Sequence, residues 1–285
     1  MALSIKTNVE SLTAQRNLSA TSKALASNFA RLSSGLRINT AADDAAGLAI
    51  SEKMKASIRS MAQAERNAND GISLLQTAEG ALNENAGVLV RMRELAMQSA
   101  TDTVGTTEKA LVNNEFAQLS KEIDRIANVT EFNGTNLFLA ASTTGFDFQV
   151  GTGTTTSDKI NTGSVLSMAA STYGATAGGA GVNLTTATVA TKTDALAALT
   201  ALDTAIASTS STRATYGAVQ NRLSVTVSNL QSARENLTAA NSRIRDVDVA
   251  EESSAMTRNN ILMQAGVSVL SQANQSPQAA LKLLQ

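Results

Sequence analysis

Apolar side chains recur at alternating steps of three and four residues over long stretches of this chain. The pattern is clearest from Met54 to Ala96, where it continues for six heptads. Such a run predicts one long helix with coiled-coil-like packing. At about 1.5 Å per residue this helix would be roughly 65 Å long. A second apolar stripe lies on a neighbouring face and predicts contact with more than one partner helix: Leu74, Ala81, Val88 and Leu95.

Further ladders predict that most of the chain is helical. One runs from Val112 to Ile126 and another from Leu202 to Ile244, while the ends carry stripes at 5–36 and 249–284. Helices this long cannot fold back on themselves, so we expect the early half of the chain to pack against the late half. The predicted fold is mainly α, a long antiparallel coiled-coil-like bundle built from both termini. Ser276-Pro277 predicts either a kink in a continuous last helix, which we favour, or the start of a new helix.

The middle of the chain has a different composition. An Asn-Gly turn signal at 133–134 ends the third ladder, and the alternation of Phe146, Phe148 and Val150 predicts a small β-hairpin around 137–150. Glycine and threonine dominate residues 141–190, where charged residues are scarce. We expect this central insert to form exposed, irregular or weakly β structure rather than a core.

Composition excludes several classes of function. The chain has no Cys and no His, so it has no disulfide, thiolate or imidazole site. A net charge of −1 offers nothing that attracts nucleic acid, and no apolar run is long enough for membrane insertion. The pair Asp43-Asp44 lacks convergent partners, so a turn or helix N-terminus is a better interpretation than acid–base or metal chemistry. We therefore predict no catalytic, cofactor-binding or metal-binding residues, and a protein that is not an enzyme.

The ends of the chain are its most regular amphipathic segments, and exposed apolar stripes of that length indicate interaction surfaces. Identical subunits that meet through a non-closing contact form a filament. The alternative is that the same stripes form an intramolecular core.

Several motifs closely resemble the bacterial flagellin family. They are LSSGLRIN at 32–39, AADDAAGL at 41–48, NDGIS at 69–73, QTAE at 76–79, EFNGT at 131–135, NSRIRDVD at 241–248 and the tail at 272–285. The resemblance covers residues 1–140 and 193–285. It implies an inner domain, D0, from 1–40 and 246–285, and a surrounding D1 domain from 41–140 and 191–245. Residues 141–190 would be a short, variable, surface-exposed region.

The resemblance also implies a function, a location and partners. A flagellin is the structural subunit of the extracellular flagellar filament used for motility, and it is secreted unfolded through the flagellar type III apparatus without a cleaved signal. The N-terminus of this chain accordingly lacks a secretory signal pattern. The implied partners are other copies of the chain, an export chaperone, and cap and junction proteins. The hook-filament junction protein shares parts of these ends and is the alternative identity.

Two sets of residues are expected to form contacts. The D0 subunit interface takes the apolar stripes of both ends: Ile5, Val9, Leu12, Leu18, Leu25, Phe29, Leu32, Met256, Met263, Val267, Leu270, Leu281 and Leu284. The run LVRMRELA at 89–96, with Glu115, is similar to the family's epitope for the innate receptor, toll-like receptor 5. The matching residues are Arg91, Leu95 and Glu115, whereas Val90 replaces the polar residue often found there. Without the resemblance, Arg91 and Glu115 would be interpreted as solvated helix charges.

Overall fold

The computed structural model describes residues 7–138, 145–163, 166–173 and 181–282. The chain divides into two compact units: unit 1 consists of Met1–Ile58 with Glu235–Gln285, and unit 2 of Arg59–Arg234. These boundaries lie further into the chain than the predicted 40 and 246. The reason is that the segments beyond those positions pair with each other, as where Ser51 Oγ donates to Asn241 Oδ1 at 2.8 Å.

Long α-helices dominate the described residues. In chain order they are α1 Val9–Ser34, α2 Ala45–Ser99, α3 Thr106–Val129, α4 Lys192–Arg245 and α5 Val249–Lys282. The predicted fold class, mainly α with long helices from both termini, is confirmed. The final helix is continuous through Pro277, as expected of the favoured interpretation of that position.

The core of unit 2 forms where α2, α3 and α4 bury their apolar faces. Five of the buried positions on α2 belong to the predicted ladder: Ala68, Leu75, Leu82, Leu89 and Ala96. Six others lie one residue before a predicted position: Ala64, Gly71, Ala78, Asn85, Met92 and Leu95. The largest buried partners from the other two helices are Phe116, Ile123, Leu202, Tyr216 and Leu223.

Two antiparallel strand pairs lie in unit 2. Strands β1, Glu131–Phe132, and β2, Thr135–Asn136, flank the predicted Asn-Gly turn, in which Asn133 and Gly134 both have positive φ angles. Strand β3, Asp147–Gln149, pairs with β4, Lys159–Asn161. The prediction of one hairpin around 137–150 is therefore wrong in position, because the partner of β3 follows the 151–158 loop rather than preceding the strand.

The loop that separates β3 from β4 is closed by a carboxylate that the sequence analysis did not single out. Asp158 Oδ2 accepts hydrogen bonds from the amide and hydroxyl of Thr155 at 2.9 and 2.6 Å, and Oδ1 accepts from the amide of Gly153 at 3.2 Å. The Thr155 hydroxyl and amide lower the pKa of this carboxyl. Strand β3 lies close to α2, since a Cβ on Gly71 would come within 2.9 Å of Phe148. The glycine permits this close approach.

The central insert contributes to the core, contrary to the expectation for 141–190. Its described part buries Val150, Ile160, Leu166, Met168, Tyr173, Leu184 and Val189. Polar side chains of α3 accept hydrogen bonds from its backbone: Ala170 N donates to Asp124 Oδ1 at 2.7 Å, and Val189 N to Asn113 Oδ1 at 2.9 Å. These bonds satisfy backbone groups in a segment that has little regular secondary structure. Widely spaced buried apolar residues and these hydrogen bonds together hold the central insert against the core.

Candidate functional site

The terminal helices α1 and α5 are joined to the rest of unit 1 at a hydrogen-bonded crossing. Helix α1 ends at Gly35, whose left-handed conformation (φ 70°) gives a typical glycine C-cap. Beyond it, Arg37 N donates to Arg245 O at 2.6 Å, and Val247 N donates to Gly35 O at 3.1 Å. Asp248 then caps α5, accepting from the amide of Ala250 at 2.9 Å. The crossing fixes where α1 ends and where α5 begins.

The two helices pack side by side in opposite directions. Residue numbers rise along α1 as those of their partners fall along α5: Asn8 Nδ2 donates to Ala273 O at 2.7 Å, and Asn28 Nδ2 donates to Glu252 Oε1 at 2.7 Å. The contacting positions on α5 repeat every seven residues, which keeps them on one face of the helix. They are Glu252, Asn259, Gly266 and Ala273.

This seam between α1 and α5 combines small and polar residues with leucines such as Leu18 and Leu25. Leu18 fills the space left by Gly266, where an added Cβ would lie 3.2 Å from its Cδ1. The buried Asn28 accepts a hydrogen bond from Asn259 Nδ2 at 3.0 Å as well as donating to Glu252. The seam therefore uses only some of the large apolar residues that the two helices carry.

Most of those large residues face solvent. We call the following residues of α1 and α5, which are between 51 and 65% exposed, the exposed apolar set: Val9, Leu12, Phe29, Val249, Ile261, Leu262, Val267 and Val269. With 3.6 residues per turn, Ile261, Leu262 and Val267 point in directions at least about 100° apart. One flat partner cannot cover all three, so the arrangement suits a helix pair with neighbours on several sides.

The residues predicted for the D0 interface occupy three environments. Val9, Leu12, Phe29 and Val267 belong to the exposed apolar set, and Leu25 is buried at 7% exposure. Half-buried positions are Leu18, Leu32, Met256, Met263 and Leu270. Ile5, Leu284 and the side chain of Leu281 lie outside the described residues. The predicted interface residues do not include the exposed Val249, Ile261, Leu262 and Val269. The last three lie off the face of α5 that the predicted stripe follows.

Asp43 and Asp44 form local turns before α2. Asp43 Oδ2 accepts from the amides of Asn39 and Thr40 at 3.2 and 2.9 Å, and Asp44 Oδ1 accepts from the amide of Gly47 at 2.9 Å. The hydrogen bond from the Thr40 amide is the main reason that the pKa of Asp43 lies below its ordinary value. Both carboxylates therefore act as caps of turns and helix ends.

Arg91 and Glu115 meet across the surface of unit 2. The guanidinium of Arg91 donates to Glu115 Oε1 from Nη2 at 2.7 Å and from Nε at 2.9 Å, and Nη1 also donates to Glu94 at 3.0 Å. Hydrogen bonding to Glu115 is the main cause that raises the pKa of Arg91. The side chain of Arg91 on α2 is 50% exposed, and that of Glu115 on α3 is 47% exposed.

Leu95 does not share that surface. It is 1% exposed and belongs to the apolar core of unit 2. A leucine buried to this degree is a packing residue, so the predicted contact surface is corrected to Arg91 and Glu115. The exposed apolar neighbours on the same helices are Val90, Met97 and Leu111.

The described residues show neither a metal site nor a membrane span. No group of three or more Asp, Glu, Cys or His side chains among them could hold a metal ion. None of the helices in the described part of the chain has the length and hydropathy needed to cross a membrane.

Comparison with known proteins gives consistent matches over the whole chain. The family model of the bacterial flagellin N-terminal helical region matches residues 5–143, and that of the C-terminal helical region matches residues 199–284. The chain is 45% identical to a flagellin of Halalkalibacterium halodurans and 44% identical to one of Bacillus subtilis. Each alignment spans 98% of this chain and 99% of the relative.

Similarity extends to a spirochaete protein and to a solved structure. The flagellar filament 33 kDa core protein of Treponema phagedenis is 41% identical over 98% of this chain and 99% of its own length. A crystal structure of Bacillus cereus flagellin is 31% identical and covers 62% of this chain and 94% of that chain, with a TM-score of 0.47.

Proposed function

The chain belongs to the flagellin family, and on this premise we propose that it is a structural subunit that self-assembles into the extracellular flagellar filament used for motility. It has no enzymatic role. The inner domain D0 of this subunit comprises 1–40 and 246–285, D1 comprises 41–140 and 191–245, and 141–190 is a short variable region.

The exposed apolar set supports this proposal most directly. Helices α1 and α5 pair with each other and still leave eight large apolar side chains more than half exposed. Burying each remaining half would contribute roughly 1 kcal/mol. A free subunit leaves that energy unused, and contact with neighbouring copies recovers it. The directions of Ile261, Leu262 and Val267 require more than one neighbour, as a helical filament provides.

Assembly supplies an ordering step as well as a contact. Because α1 and α5 leave much of their apolar surface exposed, we propose that this terminal pair is poorly ordered in the free subunit and folds against its neighbours. The long helices α2 and α4 would then slide between near-equal packings when the filament changes supercoil, which is a shear-type switch.

The remaining partners follow from the family. We propose export in the unfolded state by the flagellar type III apparatus, assisted by an export chaperone, and contact with cap and junction proteins in the finished flagellum. Absence of cysteine suits a chain that must stay unfolded during export. We also propose that toll-like receptor 5 recognises the Arg91–Glu115 surface on free subunits and not on the filament, where the same surface would meet neighbouring subunits.

Seeded polymerisation tests the function. Purified subunits are mixed with short filament seeds and examined by negative-stain electron microscopy. Long filaments are expected. Discrete short rods or rings would instead favour a hook-filament junction protein, and an unchanged monomer would contradict both assignments. Intact, washed filaments that activate the receptor as strongly as free subunits would contradict the receptor proposal alone.

A further inference from the structure

The turn between β1 and β2 brings a reactive pair of residues to the surface of unit 2. Asn133 and Gly134 are both exposed and have φ angles of 50° and 75°. Phe132 and Thr135 pair on either side of them, so the turn contains only these two residues. Positive φ at both central residues makes it a type I′ hairpin turn. The chain has no other Asn-Gly sequence.

Nothing in the described part of the chain engages the groups that would react. The Asn133 side-chain amide has no hydrogen bond there, and the Gly134 N–H donates to no backbone carbonyl of the described residues. A Cβ built on Gly134 would find no atom within 4 Å. The backbone nitrogen that follows Asn133 is therefore open to solvent and unhindered.

The reaction requires the Gly134 nitrogen to approach Cγ of Asn133, and rotation of one peptide plane provides that approach. The rotation converts a type I′ turn into a type II′ turn, in which ψ of the first central residue changes from about +30° to about −120°. Both types join antiparallel strands, so the pairing of β1 with β2 is kept. The φ angle of Gly134 changes sign, which glycine tolerates because it has no Cβ.

We propose that Asn133 is a self-modification site, at which the folded chain converts a side-chain amide into a carboxylate without an enzyme. The Gly134 nitrogen loses its proton to solvent base and forms a bond with Cγ of Asn133. The bond from Cγ to the side-chain nitrogen breaks, and that nitrogen leaves as ammonia. Water then opens the resulting cyclic imide at either of its two carbonyls. One opening gives aspartate, and the other gives isoaspartate, in which the backbone runs through the side chain.

The two products differ in their effect on unit 2. Aspartate keeps the backbone and adds one negative charge to an exposed turn. Isoaspartate adds one carbon to the backbone of a two-residue turn, so the pairing of Phe132 with Thr135 is lost. This hairpin leads directly into Leu137 and Phe138, which are buried at 1 and 0% exposure. Ageing of the chain would therefore charge the hairpin and loosen its connection to the core.

Asn136 of the same hairpin is a matched internal control. Its Nδ2 donates to Ala127 O at 2.9 Å and to Asn128 O at 3.0 Å. Its Oδ1 accepts from the amide of Phe138 at 2.8 Å. These bonds hold the side chain away from the next backbone nitrogen, and that nitrogen belongs to a buried leucine. Asn136 should therefore keep its amide while Asn133 loses it.

The test follows both asparagines in one peptide. Full-length subunits are kept folded at mildly alkaline pH and then digested with trypsin, which releases residues 126–159 as a single fragment. Mass spectrometry locates the converted residue, and methyl transfer by an isoaspartyl methyltransferase detects isoaspartate. We expect conversion at Asn133 to be at least about tenfold faster than at Asn136, whose hydrogen bonds must first break. The rate at Asn133 should rise with pH, because the attacking nitrogen must lose its proton.

Asn133→Gln is the control variant. It keeps an amide in the same exposed turn, but its longer side chain would have to close a six-membered ring, so the isoaspartate signal of this fragment should disappear. A signal that persists in Asn133→Gln would overturn the proposal, as would equal rates at Asn133 and Asn136. Conversion of Asn133 only after unfolding in urea would also overturn it, because the folded hairpin would then protect the residue. The measurement uses free subunits, so failure of seeded polymerisation would contradict the proposed function and leave this site intact.

Discussion

Phe29 provides the most direct test of the exposed apolar set. Its side chain on α1 is 55% exposed. Full burial of a phenylalanine contributes roughly 1.5–3 kcal/mol, so the exposed half corresponds to about 1–1.5 kcal/mol that only a neighbouring copy can recover. Since about 1.4 kcal/mol is a tenfold change in an equilibrium constant, we predict that Phe29→Ala raises the critical concentration for polymerisation about five- to tenfold.

The assay is sedimentation of seeded filaments over a series of subunit concentrations, with circular dichroism to follow the unfolding of the free subunit. Helices of unit 2 should unfold at the wild-type temperature, because Phe29 belongs to unit 1. Leu25→Ala is the comparison at a position that is already buried within one chain, so its truncation weakens the terminal helix pair itself rather than a contact between copies. A wild-type critical concentration for Phe29→Ala would refute the assignment of this residue to an interface between copies.

Three further outcomes follow from individual side chains. Arg91→Ala and Glu115→Lys should each reduce receptor activation by free subunits at least about tenfold in a reporter-cell assay. The reason is that a few residues usually carry most of the binding energy of an interface. Full activity in both variants would contradict the receptor proposal. Asn85→Leu should raise the melting temperature of unit 2, because the buried Asn85 amide has no hydrogen-bond partner in the described part of the chain, and such a group costs about 1–3 kcal/mol; a lower melting temperature would contradict this prediction. Burial raises the pKa of both Tyr173 and Tyr216 from 10 to about 12. The unfolded chain loses these protons first, so their contribution to stability is complete below pH 10 and is lost as the pH rises towards 12; ultraviolet titration should show tyrosinate forming together with unfolding, and early ionisation of the folded chain would contradict this.

Periodicity was sufficient for the helices but not for the exact face that each buries. On α2, only part of the predicted ladder is buried, including Leu75 and Leu82. Several other buried positions lie one residue earlier in the sequence, among them Gly71 and Asn85, which are not large and apolar. A glycine that admits Phe148 and an asparagine in a core give no hydrophobic signal. The pattern therefore assigned their neighbours in the sequence to the core instead.

Composition was misleading for the central insert. Few charges and many glycines and threonines predicted an exposed segment, yet Tyr173 and Leu184 are fully buried. What holds them is long-range: Tyr173 Oη and Thr209 Oγ1 are 2.9 Å apart, and Asp124 accepts from the Ala170 amide. The two residues of the first contact are separated by 36 positions in the sequence and those of the second by 46, so neither contact leaves a local pattern. The same limitation explains why β3 could not be matched to β4.

The predicted interface depended on a similar distinction. The stripes correctly marked the ends of the chain as apolar, but they could not separate residues that hold α1 to α5 from residues left on the outside. Leu25 and Phe29 are neighbours on one predicted stripe, yet one is buried and the other is exposed. The distinction depends on the partner helix and its small residues, such as Gly266, beside which Leu18 of the other helix lies.

The crossing next to the terminal helices has a mechanical consequence. Residues 35–37 and 244–247 are bonded to each other by two backbone hydrogen bonds, and Arg37 Nη2 also donates to Ile244 O at 2.7 Å. A pulling force on the α1–α5 pair is therefore carried by both of these backbone segments, which are hydrogen-bonded to each other. It does not act on a single flexible connection. Backbone hydrogen bonds loaded across their length resist shear as a group. Force on either terminal helix would therefore reach this clamp before it could unravel the chain beyond it.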